Sequence, residues 1–140
     1  MNKIPFFLIF VLLIIIGSCS VEEEMTPSPP SISIINPTQE IYNIGQNIAV
    51  EILISHDEVL DNITYYEICD CTDDNYDTLE LIELKNVYEK EWVYTKNIAT
   101  KKIPENVMCD YNIEITADDL NGNENTKSIY FHVMTMMEDM

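Results

Sequence analysis

Three cysteines, Cys69, Cys71 and Cys109, are the residues of this chain with the most specific chemistry. Thiolates bind soft cations, and with His56 or His132 as a nitrogen ligand the set would suit zinc or copper. The spacing argues against a standard zinc site. Cys69-x-Cys71 leaves one residue between ligands where such sites have two or more, and no Cys-x-x-Cys pair exists. A second candidate is a hard-cation loop made of Asp70, Asp73, Asp74, Asn75 and Asp77, since Ca²⁺ takes several oxygens from flexible backbone. Asp73-x-Asn75-x-Asp77 matches the first three ligand positions of an EF-hand. The pattern then breaks, with Thr78 where glycine is required and Leu84 where a bidentate Glu belongs. Asp118, Asp119, Asn121 and Asn123 offer similar oxygens, but hairpin turns select the same residues for backbone reasons.

Other chemistry is scarce. Two histidines and very few glycines leave no Gly-x-Ser-x-Gly elbow, no phosphate loop and no His-Glu-x-x-His helix, so the expectation is a protein that is not an enzyme. Twenty-five Asp and Glu stand against 7 Lys and no Arg, a formal net charge of −18. Phosphate neutralisation needs clustered basic residues, so nucleic acid is excluded as a partner. The tyrosines and Trp92 are numerous enough that some must be exposed; Tyr66, Tyr76 and Trp92 are the candidate binding aromatics, for stacking on a glycan or a protein surface. The competing use of these rings is to fill the core.

Residues 1–18 differ in composition from the rest. Lys3 is their only charged side chain, and Ile4 to Ile16 is apolar throughout. That run is shorter than the roughly 20 residues a spanning helix needs and fits the apolar region of a signal peptide. Ile16-Gly17-Ser18-Cys19 resembles the lipobox of bacterial lipoproteins. The resemblance implies thioether acylation of Cys19, cleavage before it and N-acylation of the new terminus, so that acyl chains hold the protein on the membrane. Ser20-Val21-Glu22-Glu23-Glu24 resembles the surface-export signal of Bacteroidetes lipoproteins. It implies display on the bacterial outer membrane at the cell surface, with a periplasm-facing protein as the alternative. Met25 to Ser31, rich in proline and serine, reads as a stiff extended spacer.

Short alternating segments follow. Ile48, Val50, Ile52 and Ile54 share one side of a strand. Ile63 to Cys71, Leu79 to Val87 and Tyr88 to Thr95 are further strand candidates. Leu79 to Leu84 also has the composition to start a helix, and its context favours a strand. Tyr111, Ile113, Ile115 and Ala117 alternate with polar residues, as do Ile129, Phe131 and Val133. Asp119-Leu120-Asn121-Gly122-Asn123 between them supplies hairpin chemistry. The expected fold is all-β, an antiparallel sandwich.

The pattern from Tyr111 through Gly122-Asn123 to Val133 resembles the closing strands of bacterial immunoglobulin-like and fibronectin-like sandwiches. Ile32 to Pro37, followed by Tyr42-Asn43-Ile44-Gly45-Gln46-Asn47-Ile48, is similar to the opening strands of Ig-like Bacteroidetes lipoproteins of unknown function. The resemblance implies that Tyr111 is a tyrosine-corner residue bonded to upstream backbone. It also implies that the end of the strand bearing Cys69 and Cys71 meets the start of the strand at Cys109. A disulfide from Cys109 to Cys69 or to Cys71 follows, and one thiol is left over. Asp77-Thr78-Leu79 resembles the short O-glycosylation motif of Bacteroidetes.

The organisation expected is therefore a lipoprotein signal peptide at 1–18, a lipidated cysteine and tether at 19–31, an Ig-like β-sandwich at 32–135 and a tail at 136–140. The function expected is a non-catalytic binding or interaction module that meets the membrane through its anchor and a protein or glycan through its surface. A calcium-dependent adhesion or carbohydrate-binding module using residues 70–77 is the alternative; no other cofactor is expected.

Overall fold

Alternation of apolar and polar side chains, with isoleucine the commonest inward residue, builds eight strands among the described residues. A computed structural model of the chain describes residues 28–135; the signal peptide expected at 1–18, Cys19, the acidic stretch after it and the tail expected at 136–140 lie outside the described residues. The strands are β1 (Ser31–Asn36), β2 (Ile41–Asn43), β3 (Asn47–Ser55), β4 (Leu60–Cys71), β5 (Thr78–Leu84), β6 (Glu91–Ala99), β7 (Cys109–Asp119) and β8 (Glu124–Met134). One sheet has the order β1-β3-β6 and the other β2-β8-β7-β4-β5. Pairing is antiparallel except for the short β2, which runs parallel to β8.

Two facing sheets with this order, the fourth and seventh strands central in the larger one, define the architecture. It is an Ig-like β-sandwich. Its core is the row of inward residues from both sheets: Ile48, Val50, Ile52 and Ile54 on β3 meet Ile63 and Tyr65 on β4, Ile113 and Ile115 on β7, and Phe131 and Val133 on β8. Leu79 to Leu84, where helix and strand competed in the sequence, is strand β5, zipped onto β4 from Cys69↔Thr78 to Ile63↔Leu84.

The two ends of the sandwich carry different chemistry. Ser28 to Ser31, the turn from Ser55 to Leu60 and the β7–β8 hairpin share one end, because Ser31 pairs with Ser55 and Leu60 with Asp119. The Cys71–Cys109 pair, the loop from Thr72 to Asp77 and the β6–β7 connection lie at the other. The eleven residues of β7 separate these ends by roughly 35 Å.

Candidate functional site

At the end away from Ser28, Cys71 and Cys109 stand directly opposite each other on neighbouring strands and form a disulfide, 38 residues apart in sequence. Cys69 is the leftover thiol. It is buried, two residues back on the same inward face, with Sγ 3.5 Å from that of Cys71. The sequence left the partner of Cys109 open between Cys69 and Cys71; the ladder register decides it, because Cys69 pairs with Tyr111 instead. That register also sets the neighbour of Tyr111. Tyr111, for which the resemblance implied a bond to upstream backbone, has Cys69 as its cross-strand neighbour. Burial pushes the Cys69 thiol up, and hydrogen bonds from Tyr111 and Thr78 only partly offset it. Tyr111, stacked on Phe131 at 5.0 Å, is raised chiefly by burial and then by Cys69.

Neither histidine approaches the sulfurs. His132 lies on the outer face of the larger sheet, with Nδ1 2.6 Å from Asp110 Oδ1. His56 lies at the opposite end, where Nε2 is 2.7 Å from the Ser28 carbonyl and 3.5 Å from Asp119 Oδ2, and Nδ1 accepts from the Glu58 N–H.

Two carboxylates of the acidic loop serve its backbone. Asp73 caps a 3-10 turn (Asp74–Tyr76), accepting from the Asn75 backbone and side-chain amides at 3.1 and 2.7 Å. Asp77 accepts from the Cys71 N–H at 2.7 Å. Asp70 stands on the outer face opposite Asp110, and Asp74 is exposed. Asp70, Asp73, Asp74, Asn75 and Asp77 are thus near in sequence without converging on one point. In the β7–β8 turn, Asp119 accepts from Asn121 N, Asn123 N and Asn123 Nδ2 at 2.8 to 2.9 Å. Burial works to raise its carboxyl; the bonds from Asn123 and Asn121, with His56 nearby, outweigh it and hold the group low.

The exposed surface with the most binding character is the outer face of the larger sheet. Tyr66 lies between Leu81 and Glu114, and Ile68 between Leu79 and Asn112, which neighbours Tyr130. Leu79, Leu81 and Tyr130 are 64%, 53% and 51% exposed, an unusual density of large apolar groups for a solvated face. Glu83, Glu114, Asp70 and Asp110 share this face, and no lysine stands in its outward rows. Trp92 and Tyr76 are placed differently. Trp92 points inward, half-buried and stacked on Tyr94 at 5.5 Å, and Tyr76 packs against the core from its loop.

No protein-family model and no curated protein matches this chain. Solved structures with similar strand arrangements include the sporulation control protein Spo0M of Bacillus subtilis, 10% identical, covering 78% of this chain and 51% of that one, with a TM-score of 0.42. The CARDB domain of a Pyrococcus furiosus protein, solved in complex with di-metal ions, is 16% identical over 76% of this chain and 90% of that one, at 0.43. A β-glucosidase of Listeria innocua, solved with glucose, is 9% identical over 75% of this chain and 16% of that one, at 0.40. The chain therefore spans about half of Spo0M and a small part of the glucosidase.

One cluster escaped the sequence reading. Glu67, only 4% exposed, sits in the inward phase of β4, where it accepts from Lys96 of β6 and from the Tyr65 hydroxyl. Lys96 also holds Glu80 of β5. The signal was available: Glu67 shares phase with Ile63, Tyr65 and Cys69, and Lys96 with Trp92, Tyr94 and Ile98.

Proposed function

We propose that this chain is a lipid-anchored, surface-displayed Ig-like lipoprotein of the bacterial outer membrane that acts as a non-catalytic module and binds a basic protein partner through the outer face of its larger sheet. The observation that carries the reading is the Tyr66, Ile68, Leu79, Leu81 and Tyr130 patch within an acidic, lysine-free field. Apolar anchors supply affinity, and the carboxylates around them favour a partner that brings lysines or arginines. The lipobox-like Ile16 to Cys19 supports acylation at Cys19. Ser28 lies at one end of the sandwich, so the tether from Cys19 holds that end toward the membrane and leaves the sheet face free to the side. Asp73 and Asp77 act as structural turn residues, and binding through the sheet face needs no calcium.

The test is photo-crosslinking in intact cells from a reactive side chain placed at Leu81, with Ala49 on the outer face of the other sheet as control. A discrete protein adduct from Leu81 alone, weakened by salt, is expected. Equal labelling from both positions contradicts the reading.

A further inference from the structure

Cys69 is left over by the disulfide, yet it is not isolated: the sulfur atoms of Cys69, Cys71 and Cys109 all lie within 4.8 Å of one another, and all three residues are buried. We propose that two-electron reduction of the Cys71–Cys109 bond turns this corner of the sandwich into a three-thiolate site for Cu(I). A dithiol reductant supplies two electrons and two protons, Cys71 and Cys109 become thiols, and the reductant leaves as its own disulfide. Cation binding then releases thiol protons to solvent.

The geometry supports this in four ways. The sulfurs are held by backbone and not only by their bond, since β4 and β7 pair from Leu60↔Asp119 to Cys71↔Cys109, so reduction leaves the ligands in place. Thr78 of β5 and Tyr111 of β7 flank Cys69 across the ladder, polar neighbours of the kind that orient metal ligands. The cluster has entry paths: one surface depression of about 140 Å³ is lined by Asp70, Cys71, Thr72, Met108 and Asp110. A second, of about 380 Å³, borders Cys69 beside Asp70 and Asp77, and both rims attract cations. Finally, with both histidines elsewhere, the donor set is three sulfurs. Structural zinc is almost always four-coordinate, whereas thiolates alone suit Cu(I).

The experiment titrates the full chain, reduced anaerobically by dithiothreitol and then freed of it, with Cu(I) against a chromophoric Cu(I) chelator, while circular dichroism follows the fold. One equivalent bound by the reduced, folded protein, with thiolate-to-metal absorption in the ultraviolet, is expected, and none by the oxidised protein. Cys69→Ser, which leaves the disulfide pair intact, weakens binding at least about tenfold. Binding that is unchanged in Cys69→Ser, absent in the reduced protein, or lost because reduction unfolds the sandwich overturns the proposal.

Discussion

Lys96 reaches from the smaller sheet across the sandwich to Glu67 of the larger one, its Nζ 3.0 and 2.9 Å from the two carboxylate oxygens. This is a charged tie between the layers, made where edge strands β5 and β6 approach through Glu80 and Lys96. Removing one partner strands a desolvated charge, whereas replacing both with apolar groups does not. Lys96→Met is expected to lower stability by about 3 kcal/mol, and Lys96→Met with Glu67→Leu to recover most of the loss. Urea unfolding of the three proteins measures both values.

The same cluster sets the alkaline limit. Burial pulls the Lys96 ammonium down, but hydrogen bonds to Glu80 and Glu67 outweigh it and raise its pKa. Tyr65 is raised by burial first and by Glu67 second. Both groups hold their protons more tightly when folded, so their contribution is complete below the unfolded values near pH 10 and is lost as pH rises beyond them. Asp119, held low, contributes above about pH 4 and is lost as pH falls through its folded value. Stability measured against pH is expected to be flat between these limits and to fall on both sides. Lys96→Met is expected to soften the alkaline fall.

The Cys71–Cys109 bond closes a 38-residue separation, worth about 4 kcal/mol by loop-closure entropy. Cys109→Ser is expected to lower the midpoint of thermal unfolding markedly while leaving the β-sheet circular dichroism intact, because β4 and β7 remain zipped along their length. Cys69→Ser is expected to change the midpoint far less, because the Cys71–Cys109 bond stays closed and only the surroundings of one buried sulfur change.

Asp77→Ala is expected to destabilise by about 1–2 kcal/mol through the unpaired Cys71 N–H. The loss should be the same in calcium and in EDTA, and the two unfolding curves of the parent protein should coincide. A rise in the parent's midpoint with calcium would give loop 70–77 a metal-binding role.

Sheet architecture was legible in the sequence because burial on one face writes a period of two: Ile48 to Ile54 and Tyr111 to Ala117 appear on β3 and β7 in the phase expected. Leu79 to Leu84 was ambiguous since its apolar residues fit either period, and only the ladder to β4 resolves it. The cysteine partner depended on register, where a shift of two residues exchanges Cys69 for Cys71, and local composition carries no such information. Trp92 and Tyr66 show the limit for aromatics. Both lie in strands, and which face each ring takes follows from the phase of its neighbours: Trp92 keeps step with Ile98, Tyr66 with the polar Thr64. The outer patch was missed as a unit because its members come from β4, β5 and β8 and meet only in the folded sheet.

In the proposed function the sheet face around Leu81 carries the partner while Cys19 carries the membrane. The most direct measurement combines the two: the Leu81 photo-crosslink in intact cells, repeated with Glu114→Lys beside Tyr66 and with Cys19→Ser, alongside metabolic labelling by a palmitate analogue. Acyl label on the parent and its loss in Cys19→Ser are expected, with an adduct that falls severalfold when Glu114 is reversed. Acyl label that persists in Cys19→Ser, or an adduct indifferent to Glu114→Lys, would contradict the proposal.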